Sequence, residues 1–430
     1  MLDGRLQKRY LQLVAGQMNA AQQVAAGIRA LPGPTRAFAA TQGAWRFFAN
    51  PRVTLPKLVE PLRSLAREAV AESCSAYALL VHDWSKLDYA AHTSKADITQ
   101  LSHQNDRGYE LRTALLIDAH DGAPLAPMEL ELKAADGVHS TRSARIQKTV
   151  THLSQLLPTM RASSQWKLPK TLVHVIDREA DSAAHYREWQ SRGHLFLVRA
   201  DFTRKVLFRE ASHGLPDIAA KLRDEDAFRT TGEVVIRGQT GTQFVAEAAV
   251  TLNRPARTRT PAGRTKTTGK PLPLRLVIVH VRDEQGLLLA EWFLLTNVPV
   301  EVPAETIARW YYWRWRIESF HKLLKSGGHQ INHWQQETAP AIAKRLLVTA
   351  MACLVVWQLE RNTTPAAEEC KTVLVRLSGR QMKRHRPVTS TALLSGLQML
   401  LAMLQLLEQY TPAQLKTLAH KALPFLNPGG

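Results

Sequence analysis

The sequence predicts a mixed α/β fold, a layered sheet flanked by helical regions at both ends of the chain. Three observations carry this. Two short apolar runs end in an acid: Ala78-Leu79-Leu80-Val81-His82 before Asp83, and Leu172-Val173-His174-Val175-Ile176 before Asp177. Runs of this kind, covered by helices on both faces, are central strands. Second, residues from about 203 to 298 hold four strand-like runs and break the alternating order, a β-rich segment. Third, both ends carry apolar residues at helical spacing.

Residues 1–70 read as helical. Leu6, Tyr10, Leu13 and Val14 recur at helical spacing beside Arg5, Lys8 and Arg9, until Pro32-Gly33-Pro34 breaks the pattern. Gly43 to Pro51 then mixes aromatic and basic residues. This is either a small helical domain with a solvated basic face or one that lies on DNA. A catalytic core is expected over 71–335. Its strands are the run before Asp83, then Leu111 to Asp118 and Leu125 to Lys133, a hairpin turning at Asp121-Gly122. A helix is expected over about Ser143 to Leu157, then the run before Asp177, then a strand His194 to Val198.

Within 203–298, strands are expected at Thr230 to Ile236, Phe244 to Leu252, Leu274 to Val281 and Leu287 to Thr296. Between them, residues 253–270 are basic, with Arg257, Arg259, Arg264 and Lys266, and lack any acid. Such a stretch reads as a mobile loop, either a solvated linker or an arm that contacts phosphates. Over 336–430, Ala341 to Glu360 and Ser390 to Tyr410 are Leu- and Met-rich helices, and the second is either core or a dimer surface.

Composition narrows the function. Among 430 residues, 56 Lys and Arg face 37 Asp and Glu, a formal charge of +19. A well-mixed sequence with that excess meets a polyanion: nucleic acid first, because neutralising phosphates releases counterions, and an anionic membrane surface second. Cys74, Cys353 and Cys370 have neither disulfide nor zinc spacing. The apolar stretch Leu346 to Trp357, about 12 residues, falls short of the roughly 20 a bilayer span needs. The expectation is a soluble cytoplasmic protein with no membrane partner.

One helix carries the chemistry. Val302-Pro303-Ala304-Glu305 opens it and Ser326-Gly327-Gly328 closes it. At about 100° per residue, Tyr311, Arg314, Trp315, Glu318, Lys322 and Lys325 share one stripe about 100° wide. Trp313, Ile317, Phe320 and Leu324 form the opposite stripe. One face anchors in a core. The other presents a carboxylate framed by aromatic rings and cations, a combination that suits phosphates and bases. An ordinary solvated face is the plainer reading.

Asp83 and Asp177, each at the end of a central strand, project where α/β ligand sites form. With Glu318 on a covering helix they supply three hard oxygen donors suited to Mg²⁺ or Mn²⁺. Two such ions would serve an in-line phosphoryl transfer. A turn or cap role is the ordinary alternative for each Asp, and Asp88, Glu179 and Asp181 are rival acids. Asp177 is preferred to Asp181 because it directly follows the apolar run.

The pattern Tyr311-x-x-Arg314-x-x-x-Glu318-x-x-x-x-x-x-Lys325 resembles the Tyr–Arg–Glu–Lys signature of bacterial insertion-sequence transposases of the hairpin-forming, cut-and-paste kind. Asp177-Arg178-Glu179-Ala180-Asp181 and Val81-His82-Asp83 resemble the segments around that family's second and first catalytic Asp, although Trp84 stands between Asp83 and the hydroxyl of Ser85. Gly43 to Pro51 and Trp315 to Lys322 are also similar, so the resemblance runs from about residue 4 to 335.

The resemblance implies a ribonuclease-H-like core with a β-rich insertion at 203–298. It implies Asp83, Asp177 and Glu318 as ligands of two metal ions, with Tyr311, Arg314 and Lys325 on DNA phosphates. Trp292 stands where the family has an indole supporting a flipped base, and Trp315 resembles a second such ring. It also implies an N-terminal domain that reads the element's terminal inverted repeats, a C-terminal dimerisation region, and cutting and joining of double-stranded DNA within a paired synaptic complex on the bacterial nucleoid. Two alternatives stay open: a ribonuclease-H-like nuclease that cuts without joining, and a transposase-derived DNA-binding protein without catalysis.

Overall fold

Alternate residues along the central strands go to opposite cores. In the strand Leu272–Arg282, Val277, Val279 and Val281 are buried on one side and Leu274, Leu276 and Ile278 on the other. This is the two-residue period of a sheet covered on both faces. The computed structural model describes residues 3–19, 34–253, 255–260, 263–267, 269–380 and 388–422.

Three helices come first: α1 (Gly4–Asn19), α2 (Pro34–Ala49) and α3 (Leu55–Ser73). Then follow β1 (Tyr77–Asp88), β2 (Thr99–Gln100), β3 (Arg107–Asp118), β4 (Pro124–Ala134), β5 (Gly137–Ser140), β6 (Ser143–Gln147), α4 (His152–Ser163), β7 (Thr171–Ile176), α5 (Ala183–Ser191) and β8 (Leu195–Arg199). The β-rich segment contains β9 (Lys205–Phe208), β10 (Ala211–Gly214), one helix α6 (Leu215–Asp224), β11 (Arg229–Ile236), β12 (Gln239–Leu252), β13 (Ala256–Thr260), β14 (Gly263–Thr267), β15 (Leu272–Arg282) and β16 (Leu288–Thr296). The chain ends in α7 (Ala304–Trp313), α8 (Arg316–Leu324), α9 (Ala339–Arg361), α10 (Pro365–Leu377), α11 (Ser390–Leu407) and α12 (Pro412–Ala422).

Fourteen of the described strands form one sheet in the order β10-β9-β12-β15-β16-β8-β7-β1-β3-β4-β5-β6, with β11 beside β12 and β2 beside β3. At its centre, β4, β3 and β1 run antiparallel, while β1, β7 and β8 run parallel. Helices α3, α7, α8 and α9 cover one face, and α4, α5 and α6 cover the other. Buried α9 is the pin of the molecule. Its Lys344 ammonium donates to the carbonyls of Phe48 and Asn50, which ties the N-terminal helices to the C-terminal ones.

Four expectations need correction. The segment 143–157 is not one helix: β6 pairs with β5, and the helix starts only at His152, where the Thr151 hydroxyl caps it. Within the basic stretch 253–270, read as a loop, the described residues Ala256–Thr260 and Gly263–Thr267 form a two-stranded ribbon, β13 against β14, that pairs Arg257 with Lys266 and Arg259 with Arg264. The helix expected to run past Tyr311 to Lys325 breaks between α7 and α8. The apolar stretch 346–357 belongs to α9, which at 23 residues is long and apolar enough to cross a bilayer, as is α11. Most of α9 is packed inside the protein, whereas α11 leaves Met399, Met403, Leu404 and Leu407 exposed.

Candidate active site

Two of the three acids, Asp177 and Glu318, meet through Arg314 near the end of β7, and Asp83 feels the charges of Arg314 and Glu318. Pairing between β1 and β7 stops at His82 and Ile176, while β1 itself runs on to Asp88 against β3. Asp83 therefore lies within a strand, opposite Thr113, rather than past the end of one. Its β7 side is open because the chain turns away at Asp177. There the Asp177 carboxylate caps a short turn by accepting the Arg178 N–H at 2.7 Å. Glu318 lies in the first turn of α8.

Arg314 joins them. Its Nη2 lies 3.0 Å from Glu318 Oε1 and 3.4 Å from Asp177 Oδ2, so the two carboxylates flank one nitrogen. The Tyr311 hydroxyl donates to Asp177 Oδ1 at 3.0 Å, and Arg199 at the end of β8 stands 3.8 Å from the same oxygen. Burial raises the Asp177 pKa, but Arg314 first, then the Arg178 N–H and the Tyr311 hydroxyl, reverse this and hold it below the usual carboxylate range. Asp83 differs. Burial pushes it up to about 6, and the charges of Glu318 and Glu179 add to the rise, while Arg314 opposes it.

The helix break shapes this cluster. The N–H groups of Arg314 and Trp315 reach back only three residues, to Tyr311 and Tyr312, so the backbone tightens for one turn. Neighbours fix the break. Trp313 packs over Gly122 at the β3–β4 turn, the Arg316 guanidinium donates to the Gly122 carbonyl, and Tyr312 donates to Val235. As a result Tyr311 and Arg314 turn inward and are buried, while Trp315, Glu318 and Lys322 face outward. Ile317, Phe320 and Leu324 are buried as the opposite stripe predicts.

A second ring of residues holds the first. His321, buried on α8, contacts Thr113 Oγ1 at 3.2 Å and lies 4.0 Å from Asp83. Burial pulls its pKa down to about 3, so it is a neutral neighbour, not a counter-charge. Lys325 donates to Ser85 Oγ at 2.8 Å, and this gives the hydroxyl two residues past Asp83 a partner. Trp84 donates to Gln155 of α4 and stacks on His152 at 4.5 Å. Asp181 is gripped by Arg204 and Tyr186, which leaves Asp177 as the acid that faces Arg314. Asp88 caps the Ala90 N–H away from the cluster.

Trp292 lies on β16 with its ring buried edge-to-face under Tyr311, centroids 5.3 Å apart. Trp315 is the exposed ring, with the Arg314 guanidinium over it. The side chains of Arg257, Arg259, Arg264 and Lys266 lie outside the described residues. Sequence reasoning missed His152, Arg199 and Thr113 as participants. Arg199 alone carried a signal, as a basic residue ending a central strand.

Residues 137–355 match the family model described as the transposase DDE domain, just over half the chain. The chain belongs to this family. It is a DNA transposase. The matched span contains Asp177 and Glu318 and starts after Asp83. A cryo-EM structure of the piggyBac transposase synaptic complex with hairpin DNA is similar over 98% of this chain and 76% of that chain, at 9% identity and a TM-score of 0.38.

Enzymes of this family generally use divalent metal ions. Among the described residues no three acid, His or Cys side chains stand close enough to enclose an ion as they are. The donor chemistry of the transposase nonetheless fits: Asp177 and Glu318 share Arg314 and Asp83 feels its charge, three carboxylates whose hard oxygens suit Mg²⁺ or Mn²⁺. Burial works against the charge of Arg314, yet Tyr311, Asp177, Asp83 and Glu318 together hold its pKa above the ordinary value.

Proposed function

We propose that the transposase is a bacterial insertion-sequence enzyme of the hairpin-forming, cut-and-paste kind, working on the nucleoid in the cytoplasm, with Asp83, Asp177 and Glu318 as its metal ligands. The observation that carries this reading is the sharing of Arg314 by Asp177 and Glu318, with Tyr311 on Asp177 and Asp83 in the same electrostatic field. A ribonuclease-H-like core over 71–335 is supported by the run β4-β3-β1-β7-β8, in which an antiparallel meander meets a parallel pair and the acids stand at the junction.

Two divalent ions bound there would activate a water or a 3′-hydroxyl and stabilise the leaving oxygen. The chain's own residues do the positioning. Arg314 and Lys325 would hold phosphates beside the scissile bond once DNA draws them from their carboxylate and Ser85 partners, and Tyr311 fixes Asp177. Outward-facing Lys322 extends the phosphate path, and exposed Trp315 offers a ring on which a flipped base can stack. Trp292 supports Tyr311 from beneath and reaches a base only if that ring moves.

Each step replaces one P–O bond with another: water does so in the two hydrolytic steps, and a 3′-hydroxyl in hairpin formation and in joining, where the target strand's own 3′-oxygen leaves. Water cuts one strand at the element end and leaves a 3′-hydroxyl. That hydroxyl attacks the opposite strand, releases flanking DNA and forms a hairpin. A second water opens the hairpin, and the freed 3′-hydroxyl joins target DNA. Helices within 1–70 read the terminal repeats, a role supported by exposed Arg5 and Lys8. The ribbon within 253–270 adds a phosphate-contacting arm, and helices within 336–430 form a homodimer.

The test is an end-containing duplex with Mg²⁺. Wild type gives nick, hairpin and strand-transfer products. Glu318→Gln keeps the fold and loses all three. Full nicking by that variant would remove Glu318 from the site, and nicks without hairpins from wild type would make the protein a nuclease.

A further inference from the structure

His152, the first residue of α4, has a set of partners that the chemistry above does not use. Its Nδ1 lies 3.0 Å from Glu179 Oε2, in the turn that Asp177 caps. Its Nε2 lies 3.1 Å from Glu110 Oε1 on β3, close enough for a charge contact though out of line for a good hydrogen bond. Its ring stacks on Trp84, the residue after Asp83, with centroids 4.5 Å apart and planes 15° apart. Three residues on, Gln155 accepts from the Trp84 indole at 2.8 Å, so the same helix holds that ring twice. One imidazole thus touches the neighbour of the first acid, the turn that follows the second, and β3, the hairpin strand that pairs with β1.

We propose that His152 is a positioning residue of the strand-cutting site. It sets the spacing between the segment carrying Asp83 and the segment carrying Asp177. It also holds Glu179, a fourth carboxylate in the electrostatic field of Asp83, turned toward α4.

Geometry supports this against a role in fold stability alone. The parallel pairing that would otherwise lock β1 to β7 ends at His82 and Ile176. Beyond it, no backbone ladder joins the two segments on that side. The Glu179–His152–Trp84 bridge spans the gap, and Glu110 anchors it to β3. Groups bonded directly to ligands typically contribute about 10–100-fold in metal affinity, and His152, which acts one residue further out, is expected at the low end of that range.

The inference rests on the proposed assignment of Asp83, Asp177 and Glu318 as ligands. Mn²⁺ binding to the full chain is measured by calorimetry without DNA, and nicking is measured against Mg²⁺ concentration. His152→Phe keeps a ring on Trp84 and loses both carboxylate contacts. His152→Arg keeps a planar cation that can stack and reach both acids. The expected result is about tenfold weaker Mn²⁺ binding for the Phe variant, a matching rise in the Mg²⁺ needed for half-maximal nicking, a nearly unchanged rate at saturating Mg²⁺, and recovery in the Arg variant. If the Phe variant does not fold, Glu110→Gln with Glu179→Gln removes the same contacts from the other side and is expected to give the same loss. Wild-type affinity in whichever variant folds, or an Arg variant as weak as Phe, overturns the proposal. Glu318→Gln is the control for the underlying assignment: undiminished Mn²⁺ binding there overturns the ligand set itself.

Discussion

Tyr311 has an apolar body and one polar task. Its ring packs on Trp292, and its hydroxyl donates to Asp177. Tyr311→Phe keeps the packing and removes one hydrogen bond to a charged, partly exposed acceptor. The expected cost is about 1 kcal/mol of stability in a urea melt, with a roughly tenfold fall in nicking because the Asp177 oxygen is left to Arg178 and Arg199. His152 gives a pH test. Burial lowers its pKa, but Glu110 and Glu179 outweigh burial and raise it to about 9 from an ordinary 6.5. The charged groups facing it are Glu110 and Glu179, with Lys133 3.6 Å from Glu110. A raised pKa on a base means that the folded state holds the proton more tightly. Its stabilising contribution is complete below about 6.5 and fades as pH rises through about 9. The melting temperature of wild type should therefore approach that of His152→Phe between those pH values, and a constant gap would refute the charge contact. The spacing of Tyr311, Arg314 and Glu318 was legible in the sequence. Their orientation was not, because helical periodicity shows which residues share a face and says nothing of a carboxylate cluster that draws a phenol and a guanidinium inward.

At the scale of elements, the break between α7 and α8 decides where Glu318 points, and the β3–β4 turn holds that break. Gly122 has φ +73°, and a Cβ there would lie 2.5 Å from the Trp313 indole. Gly122→Ala combines left-handed backbone strain of about 1–2 kcal/mol with overpacking of about 1–3 kcal/mol. The expected result is a lower urea midpoint, together with weaker nicking, as Trp313 and Arg316 shift the turn that carries Arg314. A variant with normal stability and normal nicking would show that the turn does not hold the break. The central strands were readable because a short apolar run that stops at an acid suits a strand buried on both faces and opening onto a polar edge. Three things were not. The end of β7, rather than the end of β1, makes the opening at Asp83, and pairing lengths leave no trace in one strand's sequence. The helix break contains neither Pro nor Gly. The basic ribbon has no apolar face, and its one strand signal, Thr alternating with Arg or Lys about Pro261-Ala262-Gly263, is easily read as a solvated loop.

At the scale of the molecule, α9 ties both ends of the chain to one face of the sheet, and α11 leaves that body with apolar residues uncovered. Met399, Met403 and Leu407 recur every four residues on α11, and Leu404, Tyr410 and Leu418 are exposed nearby. A soluble body seldom leaves such a group facing water without a partner. A second copy fits the proposed chemistry, since a DNA element has two ends to be cut together. Met403→Glu with Leu407→Glu places two like charges on that face, far from Glu318 in sequence and outside the contacts that hold it. The double variant should bind a single end duplex as wild type does but fail to form the paired complex, read as a halved complex mass by light scattering with end DNA. Hairpin products, if they depend on pairing, should fall with the paired complex. Because α11 is also long and apolar enough to span a bilayer, the same preparation is floated with neutral lipid vesicles. Wild type that stays with the DNA and leaves the vesicles supports the protein partner. Wild type that floats, with pairing untouched in the double variant, assigns the apolar face to lipid and removes the dimer from the mechanism.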